Sequence, residues 1–494
     1  MRAISFEAGG TAPHRRWPIA VAMAVVAMAL SGCNALMGGG SPTANVFSDG
    51  GAPAASNIDS REHARIVAAY GGIFHDAKVE QTLAPIVSKI VAASDRPDQP
   101  YRITILNAPA VNAFALPDGY LYVTRGLLAL ASDSSEVAAV LAHEMGHVTA
   151  NHAAKRQDKA RDAMVVSRVV NDVLDNNEGG QLALASSQRT LAAFSQQQEL
   201  EADAIGVKTI GQAGYDPFAA SRFLNSMQRY AVYRSLLTLQ DQRPDFLATH
   251  PATPERVAFA IKAARQFGAP GVGVVDRDRY LDGIDSMVFG DDPNQGFVRD
   301  RTFVHPGLSI GFTVPEGFVI DNTSDAVLAT GIDGTALRFD AVGLARDADL
   351  ADYLKSGWVN GLDETSVQSF SVNGLQAASA TAEAKGWHFR IAVIRTGGNA
   401  SYRFIFANEA VTPAFLKAAT DTVDGFRTLS ASDLADFHAL HIHIVTVAQG
   451  DTEARLVRRM SGVDRPLELF RVLNDLDAGA KLVPGTKLKI VNDS

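Results

Sequence analysis

Apolar and polar positions change period several times along the chain, and each change marks a unit. Pro18 to Leu30 is an apolar run of about 13 residues behind the basic Arg2, Arg15 and Arg16. A comfortable membrane span takes roughly 20. Asn112 to Leu116 alternates and predicts a strand. Val137, Val140, Leu141, Met145 and Val148 fall at helical spacing. Asp133-Ser134-Ser135-Glu136 supplies the start signal, with Asp133 as N-cap and Glu136 reaching back. This predicts an amphipathic helix with its back on a core and its other face on a cleft. A polar-to-helical stretch follows at 188–210. The helical pattern stops after about Gly268, and the Gly- and Asp-rich residues 269–300 read as a linker. From Thr302 to about Thr428 the period turns to two: Leu308 to Pro315, Leu337 to Val342 and Trp387 to Ile394 alternate. The tail from about His441 to Val491 reads β-α-α-β, with a turn before each element. The fold class is α+β: a mainly helical domain with a small sheet at 59–268, a small α+β domain of unassigned role at 301–430, and a β-α-α-β module at 431–494.

Composition adds an address and removes some function classes. The chain has 494 residues, a net charge of −9 and one cysteine. No basic cluster points to nucleic acid. The apolar run ends in Leu30-Ser31-Gly32-Cys33, which resembles a bacterial lipoprotein processing box whose cysteine becomes the lipidated N-terminus. Residues 1–33 then read as a lipoprotein signal peptide and Cys33 as the lipidation site. Asn34 follows, where an aspartate would imply inner-membrane retention, so the analogy implies the periplasmic face of the outer membrane. Residues 34–58, rich in Gly, Ser, Pro and Ala, read as a flexible tether. With Cys33 lipidated, neither disulfides nor cysteine chemistry remain.

The candidate chemistry lies in the helix that starts at Asp133. His143-Glu144-Met145-Gly146-His147 is an H-E-x-x-H sequence, and residues four apart share one helix face about 6 Å apart. Two imidazoles so placed reach one metal ion, and the glutamate can hold a water beside it. A third histidine in the register H-E-x-x-H-x-x-G-x-x-H is excluded, because Ala150 and Ala153 stand at the glycine and final histidine positions. The other source is a glutamate on a second helix. Glu199-Leu200-Glu201-Ala202-Asp203 fits: Glu199 and Asp203 share a face, with Asp203 placed to accept the free N–H of a ligand histidine. Glu201 points about 160° away from Glu199. His152 has no partner at metal spacing and reads as structural.

H-E-M-G-H followed by E-L-E-A-D resembles the HtpX/BepA-like zinc metallopeptidases, gluzincins related to the CAAX prenyl endopeptidases. Asn112-Ala113-Phe114-Ala115-Leu116-Pro117-Asp118-Gly119, Tyr122 to Leu128, Gly214-Tyr215-Asp216-Pro217 and Thr249-His250-Pro251-Ala252-Thr253-Pro254-Glu255-Arg256 match further family motifs, over roughly residues 59 to 265. The resemblance implies a zincin-type peptidase domain with one Zn2+ held by His143, His147 and Glu199, and Glu144 as catalytic base. It also draws in His250, either as a donor to the oxyanion or as the residue that fills the fourth zinc position and holds the enzyme latent. Relatives often carry an arginine three residues before the ligand glutamate; Gln196 stands there, which puts a local salt bridge in doubt.

The tail resembles a LysM peptidoglycan-binding module through Val445 to Thr452, Leu473-Asn474 and Leu482 to Ile490. His441 and His443 share a strand face but have no acidic or sulfur partner at ligand spacing. With this address, the family resemblance implies a zinc metalloendopeptidase of the bacterial envelope acting on misfolded or misassembled envelope proteins. The other class is an outer-membrane assembly chaperone or scaffold, bound to peptidoglycan, with a latent peptidase site.

Overall fold

A computed structural model describes residues 57–155, 196–236, 250–323, 326–397, 400–435 and 437–493. The expected signal segment, Cys33 and the expected tether up to residue 56 lie outside the described residues. Among the described residues, no helix is long and apolar enough to cross a membrane.

The first unit is built around the helix Ser134–Thr149. Asp133 caps it by accepting from the Glu136 N–H at 2.9 Å, and the Glu136 side chain reaches back to the Ser132 N–H at 2.8 Å. The helix is not amphipathic as the periodicity predicts. Nearly all of its side chains are buried, the polar ones included. The expected cleft face is covered by a second helix at 196–212 and by the His250 segment. Two glycines let the helices cross closely. A Cβ on Gly146 would stand 3.1 Å from the Ala202 carbonyl, and one on Gly206 would stand 3.1 Å from the His143 nitrogen. Arg222, on the helix Ala219–Leu236, bonds Asp133 at 3.2 Å and Ser135 at 3.0 Å and also pairs with Asp216. It thereby ties that helix to the start of the motif helix.

A three-stranded sheet lies beside the motif helix: β1 Arg102–Leu106, β2 Ala113–Ala115 and β3 Tyr120–Thr124, in the order β1-β3-β2. β1 and β3 run parallel and β2 antiparallel, so β2 is an edge strand. The expected strand at Asn112 to Leu116 is this edge.

Residues 269–300 are not the linker their composition suggests. Arg277–Ile284 is a helix whose Tyr280 and Leu281 are fully buried in the core of the first unit. β4 Val288–Phe289 follows, and β5 Phe297–Arg299 already belongs to the next unit. Glycine and aspartate there serve turns around a short buried helix.

The second unit comprises β6 Thr302–His305, β7 Ile310–Thr313, β8 Phe318–Asn322, β9 Val327–Gly331, β10 Ala336–Gly343, β11 Leu362–Val372, β12 Leu375–Ala384, β13 Trp387–Gly397, β14 Ala400–Asn408 and β15 Arg427–Thr428. Seven of them form one antiparallel sheet in the order β11-β12-β13-β14-β10-β9-β8. Helix Pro413–Asp424 and the small sheet β15-β7-β6-β5 cover a phenylalanine-rich face around Phe312, Phe339 and Phe404. The short helix Leu350–Lys355 covers the other face.

The tail has the order β16 Leu440–Thr446, helix Glu453–Val457, helix Pro466–Asn474, β17 Lys487–Asn492. It is not a detached bead. β16 pairs with β17 on one side and with β4 on the other. Ile442, Phe470 and Ile490 share one hydrophobic cluster with Leu128 and Val137 of the first unit. Lys489 is wholly buried, and its ammonium donates to the carbonyls of Ala129, Leu130 and Ala131 at 2.8, 3.2 and 2.9 Å. These are the last carbonyls of helix Arg125–Leu130 and its C-cap, where a cation satisfies the open acceptors.

Candidate metal centre

His143 and His147 lie one turn apart on the motif helix, and their Nε2 atoms are 3.0 Å apart. Glu199 enters from helix 196–212, its carboxylate 3.4 Å from His143 Nε2 and 3.5 Å from His147 Nε2. His250 comes from the loop before helix Pro254–Ala264. Its Nδ1 is 2.9 Å from Glu199 Oε2 and 3.4 Å from His143 Nε2. Each of the four offers one ligand atom, all within 4.8 Å of one another.

The donor set fits a zinc ion. Ligands roughly 2.0–2.1 Å from a tetrahedral zinc stand about 3.3 Å from each other, which is the spacing found here. Without a cation, lone pairs of two imidazoles and a carboxylate would be crowded together in a buried place. Burial, reinforced by His143 and His250, drives the His147 pKa down, so its ring is held neutral, the form a metal ligand needs. Burial acts against the charge on Glu199, but hydrogen bonds from His143 and His250 overcome it and hold the carboxylate well below its ordinary range.

The next layer is a clamp. His143 Nδ1 is 2.9 Å from Asp203 Oδ1, the contact expected from the E-L-E-A-D spacing. Arg256 grips Asp203 with two bonds of 2.8 and 2.7 Å and touches Glu199 at 3.0 Å. Burial opposes charge on Asp203, yet Arg256 and His143 keep its pKa low. Burial likewise pulls the His143 pKa down, but Asp203 and Glu199 prevail and raise it to about 9. Gln196 donates to Glu255 at 2.5 Å, joining the two later motifs through a neutral amide.

Glu144 is 4 % exposed, and its Oε1 has no hydrogen-bond partner among the described residues. The nearest ring nitrogens are His250 Nε2 at 3.7 Å and His143 Nε2 at 4.0 Å. Desolvation raises its pKa, with His250 and His143 opposing. A buried carboxylate oxygen left open beside a metal group is placed to exchange a proton with a water there.

Sequence reasoning missed two residues. Arg256 lies inside a quoted motif, but its partners sit on another helix, so spacing alone gave it no role. His152 reads as structural by spacing, yet its Nδ1 is 2.9 Å from His147 Nδ1 and its Nε2 is 3.2 Å from Glu201. The signal was Asn151, whose left-handed φ of 54° turns the chain back toward His147 just beyond the helix end. Cys33 lies outside the described residues. His441 and His443 sit on β16 with ring centres 6.4 Å apart, away from the four-residue group.

Two histidines and a glutamate around one point, with a second glutamate beside them, define a metallopeptidase-type site. Residues 77–264 match the model of peptidase family M48. The chain is 29% identical over 218 residues to the beta-barrel assembly-enhancing protease of Escherichia coli K12, covering 42% of this chain and 43% of that one. It is 33% identical over 170 residues to the mitochondrial metalloendopeptidase OMA1 of Arabidopsis thaliana, covering 33% and 31%. The chain therefore spans less than half the length of these relatives. A crystal structure from Bacteroides thetaiotaomicron overlaps 33% of this chain and 57% of that one, at 15% identity and a TM-score of 0.21.

Proposed function

We propose that this protein is a zinc-dependent metalloendopeptidase of the bacterial envelope. The observation that carries it is the convergence of His143, His147 and Glu199 on one point, with the open Glu144 oxygen beside them. His143, His147 and Glu199 would hold one Zn2+, which lowers the pKa of water to around 7 and polarises the scissile carbonyl. Glu144 accepts a proton from the attacking water and delivers it to the leaving amine, a task suited to its raised pKa. Asp203 and Arg256 hold His143 in the orientation that turns Nε2 inward. The β2 edge beside the motif helix supports pairing with an extended substrate backbone.

His250 supports a resting state with the fourth position filled. Its Nδ1 lies within the ligand group, and His143, Glu144, Glu199 and His250 are each less than a tenth exposed. Substrate then enters when the His250 loop swings away. In this reading His250→Ala raises cleavage of an unfolded protein. A loss of about 100-fold or more would assign His250 to the oxyanion instead.

The proposed substrates are misfolded or misassembled envelope proteins, in keeping with a relative named for barrel assembly. The proposed address is the periplasmic face of the outer membrane through lipidated Cys33, with the LysM-like tail (431–494) contacting peptidoglycan. The test is cleavage of an unfolded protein by the full chain. Wild type cleaves it, Glu144→Gln loses about 1,000-fold or more, and chelation abolishes cleavage until zinc is restored. Equal cleavage by all three preparations would refute the proposal.

A further inference from the structure

We propose that His152 is a positioning residue for the ligand His147, and that Glu201 acts on the metal centre through it. The inference rests on the zinc reading above. His147 Nε2 faces the ligand group, 3.0 Å from His143 Nε2. An imidazole that gives its Nε2 lone pair to a metal carries its proton on Nδ1. That N–H belongs to a side chain only 12% exposed and needs an acceptor. His152 Nδ1 stands 2.9 Å away. Both Nδ1 atoms cannot carry protons in that contact, so His152 accepts through Nδ1 and carries its own proton on Nε2. His152 Nε2 is 3.2 Å from Glu201 Oε2, which accepts it. One carboxylate thus fixes the tautomers of two rings.

The backbone prepares this arrangement. Asn151 adopts φ 54° after the helix end, and Gln198 donates to the His152 carbonyl at 3.1 Å. His152 is 1 % exposed, so its ring has little freedom. Glu199 and Glu201 divide the work of one helix: Glu199 faces the ligand group, while Glu201, turned off that face, reaches the same group through His152.

The two ligand histidines are therefore supported differently. His143 leans on Asp203, a buried carboxylate clamped by Arg256. His147 leans on a neutral ring backed by Glu201, whose side chain is 50% exposed and 4.0 Å from Lys155. The His147 arm is the one that the protein surface can tune.

The test is the zinc dissociation constant of the full chain, measured by competition with a chromophoric chelator. His152→Phe weakens zinc about 10–100-fold, the usual cost of losing an outer partner of a ligand histidine. His152→Asn loses less, because its side-chain oxygen still accepts from His147. Glu201→Gln weakens binding by a few-fold. Thermal melts in excess chelator match wild type for each variant that folds, which separates metal positioning from folding. Should His152→Phe fail to fold, Glu201→Gln, at a half-exposed position, carries the test. Wild-type affinity in folded His152→Phe and in Glu201→Gln overturns the proposal. Failure of the wild type to bind zinc, or unchanged binding by His147→Ala, overturns instead the metal reading beneath it.

Discussion

Arg256 shows how much of the centre rests on one side chain. It is 2 % exposed and holds two carboxylates, Asp203 and Glu199, in a place where neither tolerates charge alone. Arg256→Met removes the cation that both share and lowers stability by about 3–5 kcal/mol, readable by chemical denaturation. The pH dependence follows from the same contacts. Burial works against the charge on Asp203, but its partners depress its pKa. The stability it adds is therefore present above the ordinary aspartate pKa and lost as pH falls through the lower folded value. Without Arg256 the depression shrinks, so the acid-unfolding midpoint followed by circular dichroism moves to higher pH. At this scale the residues in contact along one helix were legible. His143, His147, Glu199 and Asp203 follow from i, i+4 spacing. Arg256 and His152 did not, because each meets its partners across a turn or another helix that spacing alone does not join.

Two elements decide whether those residues meet. The motif helix and helix 196–212 cross where Gly146 and Gly206 leave room, each Cβ direction ending about 3.1 Å from the other helix. Gly206→Val forces the helices apart. The expected result is a stability loss of about 1–3 kcal/mol and a sharp fall in zinc affinity, with the far-ultraviolet circular dichroism retained. Unchanged zinc affinity would show that the crossing tolerates the shift. The sequence gives the motif helix and its cap correctly, because both signals are local. It fails on burial. Val137, Val140, Leu141, Met145 and Val148 read as one apolar stripe, whereas a second helix with its own polar residues covers the other face. Helix Arg277–Ile284 fails for a related reason: at 8 residues it has too few turns to show a period, and the glycines and aspartates around it dominate the composition.

Across the whole molecule, the tail and the peptidase unit share a core. Lys489 closes the end of helix Arg125–Leu130, just before the Asp133 cap of the motif helix. Burial pushes its pKa down to about 7, so the surrounding carbonyls and the nearby Asp133 and Glu136 must hold its charge. Lys489→Met removes these bonds and costs about 1.5–3 kcal/mol in thermal or chemical unfolding of the peptidase unit. A melt identical to wild type would show that the contact is incidental. Domain borders drawn from composition missed this coupling, since residues more than 350 positions apart in sequence meet here. The account as a whole stands on one metal ion held by three residues. The measurement that tests it most directly is the metal content of the purified full chain. One zinc per chain in wild type and in Glu144→Gln, and none in His143→Ala or Glu199→Ala, is the result expected. A wild type without zinc, or zinc retained in both ligand variants, would contradict it.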